Sequence, residues 1–162
     1  MLIAVLADTH LPRGRRVLPE RCVAQLARAD LILHAGDFVA PEVLERLESL
    51  GPPVVAVSGN VDAPALKASL PATRTVEAEG ARIAIVHDAG RAAGRFERLR
   101  ARFPDVSAVV FGHSHIPLHE DRDGFQIFNP GSPTDRRREP RHTMGIAEAG
   151  AGALRFEHLA LE

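Results

Sequence analysis

Seven polar residues define the chemistry open to this chain: Asp8, His10, Asp37, Asn60, His87, His113 and His115. Two carboxylates, one amide oxygen and four imidazoles make a mixed oxygen and nitrogen donor set. Such a set suits Mn, Fe, Ni, Zn or Co better than Mg or Ca, which prefer oxygen throughout. No cysteine joins it, which argues against a structural zinc site. Seven donors are too many for one ion but suit two ions if a carboxylate bridges them. Asp37, in the tight Gly36-Asp37 turn, is the candidate bridge. Two cations ~3.5–4 Å apart are the usual device for in-line displacement at phosphorus.

The elements that must position these residues are legible around them. Leu2–Ala7 is an apolar run ending in Asp8, Leu31–Ala35 one ending in Gly36-Asp37, and Val54–Val57 one ending in Gly59-Asn60. Short runs bounded by turn residues read as strands buried on both faces. After Pro19, Cys22, Val23, Leu26 and Ala27 recur at helical spacing, and after Pro41 so do Val43, Leu44 and Leu47, stopped by Gly51-Pro52-Pro53. Strand–helix–strand alternation implies right-handed units and a parallel sheet. The second half predicts a hairpin over Thr75–Ala78 and Arg82–Val86, and a helix from about Arg91 to Arg102 carrying Phe96, Leu99 and Phe103 on one stripe. A strand over Ala108–Phe111 ends in Gly112-His113, and further strands fall at Phe125–Phe128, Thr143–Glu148 and Leu154–Leu159. Two packed sheets with helices outside are expected. In α/β sheets the crevice beyond the carboxyl ends of the strands is where ligands bind, so the polar residues at those ends should converge.

In its order of motifs, Asp8-x-His10, Gly36-Asp37, Gly59-Asn60, His87 and Gly112-His113-Ser114-His115, the chain resembles the calcineurin-like metallophosphoesterase superfamily and, within it, the small YfcE-type phosphodiesterases. The resemblance runs from Leu2 to about Glu148, without a cap domain. It implies an α/β/β/α sandwich of two mixed sheets. It implies that Asp8, His10 and His115 bind a first metal, that Asn60, His87 and His113 bind a second, and that Asp37 bridges both. Asp37, Asn60 and His113 are then the catalytic residues, and Asn129-Pro130-Gly131-Ser132 shapes the site without binding metal. The implied activity is phosphodiester hydrolysis by a hydroxide bridging two divalent ions. Mn2+ is the first expectation, with Fe, Ni, Co or Zn as alternatives. The other readings are a phosphomonoesterase and a non-catalytic protein-binding scaffold of the same fold. Many relatives carry a histidine after the Gly-Asn pair. Here Val61 stands there, as in YfcE-type members, and leaving-group protonation is unassigned. Where relatives often have His-Gly-His, this chain has His87-Asp88-Ala89, and Asp88 either orients a ligand histidine or faces solvent.

The bulk numbers narrow the partners. The 162 residues fit one domain, residues 1–162. The net charge of −1 gives no general attraction to polyanions, and Trp and Tyr are absent, so stable nucleic-acid binding is not expected. No apolar run approaches the ~20 residues of a membrane span, and Met1–Ala7 reads as a strand rather than a signal peptide. Cys22 is the one cysteine, a core residue by its position on an apolar helix face. These features favour a cytoplasmic enzyme acting on a small phosphate ester, and the resemblance adds a homodimer or homotetramer. His34, His119, His142 and His158 belong to no motif and are expected to be structural or solvated, with His34 the best candidate to support a ligand. Asp62, before Ala63-Pro64, reads equally as a helix N-cap or as support for the site. The Arg136, Arg137, Arg138 and Arg141 loop reads as a solvated charge run, with phosphate capture as its alternative.

Overall fold

The computed structural model describes residues 1–162. In chain order its elements are β1 (Leu2–Leu6), α1 (Glu20–Arg28), β2 (Leu31–His34), α2 (Pro41–Glu48), β3 (Val54–Ala56), α3 (Pro64–Ser69), β4 (Thr73–Ala78), β5 (Ala81–Val86), α4 (Arg95–Arg102), β6 (Ala108–Val110), β7 (Leu118–Arg122), β8 (Phe125–Asn129), β9 (Thr143–Gly150) and β10 (Ala153–Ala160). They form two five-stranded sheets, ordered β10-β9-β1-β2-β3 and β4-β5-β6-β8-β7. Both are mixed. β1, β2 and β3 run parallel, as do β5, β6 and β8, while β9, β10, β4 and β7 add antiparallel edges.

Strand alternation sorts the apolar residues into layers. Ile3, Val5, Leu33, Ile83, Ile85, Val110, Phe128 and Phe156 face one another between the sheets. Ala4, Leu6, Ile32 and Met144 point the other way, against Cys22 and Leu26 of α1, Val43 and Leu47 of α2 and Leu66 of α3. On the far side, Ala84, Val86, Val109 and Ile127 meet Phe96 and Leu99 of α4. Each fully buried Val, Leu, Ile, Phe or Met among them contributes about 1.5–3 kcal/mol. The result is the expected four-layer α/β/β/α sandwich.

Strand ends shift by one or two residues from the sequence reading, and two differences are larger. The helix expected from Arg91 begins only at Arg95, because Gly94 takes a left-handed φ of 67° and starts the helix there. β7 was not foreseen: Leu-His-Glu-Asp-Arg has no apolar alternation, since it is an edge strand held to β8 through the Asp123-Gly124 turn. No helix is long and apolar enough to cross a membrane.

Candidate metal centre

Asp8, Asp37, Asn60, His87, His113 and His115 all lie just past strand ends, and the turns there are unusual. Asp8, His10, Asp37, His113 and His115 have φ between 45° and 69°. That left-handed region costs an L-residue about 1 kcal/mol or more, least for Asp, Asn and His. It turns each side chain back over the strand ends. Val39, at φ 89°, is strained further, being β-branched. The glycines of the two Gly-polar turns have a packing reason. A Cβ on Gly36 would come within 2.8 Å of the Gly59 nitrogen and 2.9 Å of His87 Nδ1, and one on Gly59 would strike Asp37. The two turns touch, which brings Asp37 beside Asn60 and His87.

The side chains form two clusters. Asp8, His10 and His115 bring one donor atom each within 4.8 Å of one another, and so do Asp37, His87 and His113. Asn60 joins the second: its Oδ1 lies 2.9 Å from His87 Nε2 and 3.0 Å from His113 Nδ1. Asp37 joins the two. Its Oδ2 is 3.3 Å from His10 Nε2 and 3.3 Å from His87 Nε2, one histidine from each cluster, while its Oδ1 accepts the Val61 N–H at 2.9 Å. All seven residues singled out in the sequence therefore meet.

The donor atoms fit cations better than one another. Asp8 Oδ2 accepts the His113 N–H at 2.9 Å, but Oδ1 is buried without a hydrogen bond and faces His115 Nε2 at 3.6 Å and His10 Nε2 at 3.9 Å. The Nδ1 atoms of His87 and His115 donate to the carbonyls of Ala35 (2.7 Å) and Asp135 (2.5 Å). In the neutral rings this leaves each Nε2 lone pair turned inward. Each cluster thus gathers donor atoms close enough together for one divalent cation.

Protein charges alone show the same need. Burial pushes the Asp8 carboxyl up to about 8, the nearby Asp37 charge adding to it against His87 and the His113 N–H. Burial also works against charge on Asp37, but hydrogen bonds from His10 and His87 outweigh it and hold that carboxyl well below the usual range. His87 is raised: its burial is overcome by the Asp37 hydrogen bond and the Asp8 charge. His115 is lowered, mainly by burial.

The supporting shell divides the remaining sequence candidates. Asp62 does not cap α3, whose N-cap is Ala63. Its carboxylate is buried and accepts the N–H groups of Gly59 (2.7 Å), Val39 (2.8 Å) and Asp37 (3.2 Å), clamping both turns. His34 is fully buried, stacks on Phe38 and accepts the Gly36 N–H at Nδ1, so its Nε2–H donates to Thr9 Oγ1. Burial pushes it down to about 3, keeping it neutral. Asn129 Nδ2 donates to the Gly112 carbonyl and Ser114 Oγ, and Ser132 Oγ donates to the Asp8 carbonyl at 2.7 Å. Asp88 is exposed and caps Gly90, so it orients no ligand. His119, His142 and His158 bond elsewhere, to Gln126, Glu162 and the Asn129 carbonyl. In the arginine loop, Arg136 donates to the Glu139 carbonyl, Arg137 pairs with Asp135, and Arg138 lines an open cavity of about 350 Å³ with Ser114, Ile116, Arg137 and Glu139. Asp135, with Arg16 and Thr134 around it, is what sequence reasoning missed at the site. Its only signal was its place three residues after Ser132 and before the arginine run, which drew attention to the cations instead.

A family model for the calcineurin-like phosphoesterase superfamily domain matches residues 1–152. A Methanothermobacter thermautotrophicus protein named as a probable metallophosphoesterase is 35% identical over 136 residues, covering 83% of this chain and 78% of its own. A Methanocaldococcus jannaschii protein named as a phosphodiesterase is 25% identical over 144 residues, covering 81% and 83%. The crystal structure of Vps29 from Entamoeba histolytica complexed with zinc superposes with a TM-score of 0.79 over 100% of both chains, and at 21% identity it shows the shared fold.

Proposed function

The chain belongs to the calcineurin-like phosphoesterase superfamily, and from that premise we propose that it is a binuclear metal-dependent hydrolase of phosphate esters, with small phosphodiesters as its substrate class. The observation that carries the two-metal reading is Asp37 Oδ2, equidistant at 3.3 Å from a histidine of each cluster. In this reading Asp8, His10 and His115 hold one divalent ion and Asn60, His87 and His113 the other, with Asp37 shared. The mixed donor set favours Mn2+ or another transition ion over Mg2+. When bound, such a pair supplies a water acidified towards neutrality and positive charge for the non-bridging phosphate oxygens.

The chain's own residues do the rest. Asp37 keeps its charge, because its hydrogen bonds hold the carboxyl low even before a cation arrives. The Val61 N–H fixes the orientation of Asp37, and Asp62 fixes the turns on either side. Asn60 and His113 are exposed, so the second cluster is the one substrate can reach. Val61 offers no proton to a leaving group. The diester preference draws support from the relative named as a phosphodiesterase.

The test is a metal-depleted preparation assayed with bis-nitrophenyl phosphate and nitrophenyl phosphate, each with Mn2+, Co2+, Ni2+, Zn2+ or Mg2+ added. Turnover of the diester that requires a transition ion and exceeds that of the monoester is expected. Faster monoester cleavage would overturn the substrate class, and inactivity with every metal would overturn the enzyme.

A further inference from the structure

We infer that Asp135 is a positioning residue for the first cluster, its carboxylate orienting His10 while its main-chain oxygen orients His115. This rests on the two-cation reading above. His115 Nδ1 donates to the Asp135 carbonyl at 2.5 Å. Asp135 Oδ2 lies 3.5 Å from His10 Nδ1, a buried ring nitrogen with no hydrogen bond, and 3.9 Å from His115 Nδ1. The histidines thus present Nε2 to the cluster and Nδ1 to one and the same residue. With its proton on Nδ1, facing the Asp135 carboxylate, the His10 ring would be held in the tautomer that frees Nε2 for a cation, in place of the Nε2–Asp37 hydrogen bond of the metal-free protein.

Two guanidiniums hold that carboxylate in place: Arg16 Nη2 is 3.1 Å and Arg137 Nε 3.3 Å from the same Oδ2. They offset its charge and keep it behind the histidines, so it aligns the ligands without competing with Asp8 as one. The main chain is fixed as well. The Asp135 N–H donates to Ser132 Oγ at 2.9 Å, Ser132 Oγ donates to the Asp8 carbonyl, and Thr134 Oγ1 donates to the Thr9 carbonyl. Residues 132–135 therefore brace every member of the first cluster. At the second cluster His87 Nδ1 meets only the neutral Ala35 carbonyl, so carboxylate bracing is confined to the first.

The test is calorimetric titration of the metal-depleted protein with Mn2+, for the wild type, Asp135→Asn, Asp135→Glu and His10→Ala. Asp135→Asn is expected to weaken one of two ions about 10- to 100-fold, leave the other unchanged, and lower the metal-free melting temperature only slightly, since the Arg16 and Arg137 pairs it breaks are partly exposed. Asp135→Glu should restore part of the affinity. Added to His10→Ala, Asp135→Asn should have no further effect on the ion that remains. In the diester assay, kcat of Asp135→Asn should fall at limiting Mn2+ and recover in excess, with KM unchanged. Wild-type affinity for both ions in Asp135→Asn overturns the role. So does a loss shared equally by both ions, or one matched by a fall in metal-free stability. A wild-type protein that takes up one ion overturns the two-cation reading instead, and the effect of Asp135→Asn on that ion still decides the positioning role.

Discussion

Asp8, His10 and His115 are no more than 2% exposed, whereas His113 and Asn60 in the neighbouring cluster lie open to solvent. The same residue types are set in two environments. The first cluster is enclosed and backed by Ser132–Asp135. The second has one braced histidine, His87, and two members whose outer faces meet water. On the proposed two-cation reading, a cation in the first would be held in an enclosed, preoriented pocket, while one in the second would exchange with solvent and meet the substrate. That reading gives the two sites different tasks, retention in one and contact with the ester in the other.

The sharpest way to break that division is at the atom the clusters share. Asp37→Asn keeps the shape and removes the bridging charge. It should lower diester turnover about 100- to 1,000-fold, as removal of electrostatic machinery at the reacting centre does. Metal content, read by elemental analysis after gel filtration, should fall below two ions per chain. Near-normal turnover would end the shared-carboxylate reading.

Next in size is the contrast between the two histidines of Gly112-His113-Ser114-His115. Both His115→Ala and His113→Ala should lower turnover by about 100-fold, since on the two-cation proposal each removes a ligand from the centre. They should differ in what survives buffer exchange. His113→Ala should keep the enclosed ion and lose the open one, and His115→Ala should lose hold on the enclosed one. Identical metal content in the two variants would show that burial does not set retention.

How much of this was legible in the sequence follows from what each feature costs. The parallel strands and the seven donors could be read because buried strands need continuous apolar runs, and because each polar residue interrupts such a run at its end. Asp62 could not be settled. A carboxylate before Ala63-Pro64 looks the same as an N-cap whether it bonds its own helix or, as here, the N–H groups of Asp37, Val39 and Gly59 across the chain. β7 was silent because an edge strand buries little and needs no apolar face. Asp135 was hidden because its partners, His10, Arg16, His115 and Arg137, come from three separate segments.

A smaller effect tests enclosure through pH. Asp8 has a folded pKa raised to about 8 from an ordinary 3.8, so the folded protein holds this proton more tightly than the unfolded chain. The stability it contributes is complete below pH 4 and is lost as pH rises through about 8. His87, also raised, acts in the same direction, its share lost as pH rises above its ordinary 6.5. Asp37, held low, changes only in acid, and the lowered His34 and His115 weaken the fold only as pH drops below 6.5. Between pH 6.5 and 8.5 the metal-free protein should therefore melt at steadily lower temperature. The rise in melting temperature on adding Mn2+ should grow over the same range, because the cation replaces the proton. A metal-free melting temperature that is flat or rising there would show that Asp8 is not enclosed as described.

The smallest effect concerns the open side. Arg136 and Arg137 are committed, to the Glu139 carbonyl and to Asp135, whereas Arg138 lines the cavity beside Ser114, between His113 and His115. If substrate enters over the second cluster, this exposed guanidinium attracts the ester's negative charge without touching the reacting atoms. An exposed charge acting through solvent contributes up to about 1 kcal/mol and is screened by salt. Arg138→Gln should thus raise KM for the diester about 2- to 5-fold at low ionic strength, leave kcat unchanged, and lose its effect in 0.5 M salt, where the Debye length falls to about 4 Å. Arg141→Gln, outside that cavity, is the control and should change neither constant. An unchanged KM in Arg138→Gln would show that this guanidinium does not draw the ester toward the centre.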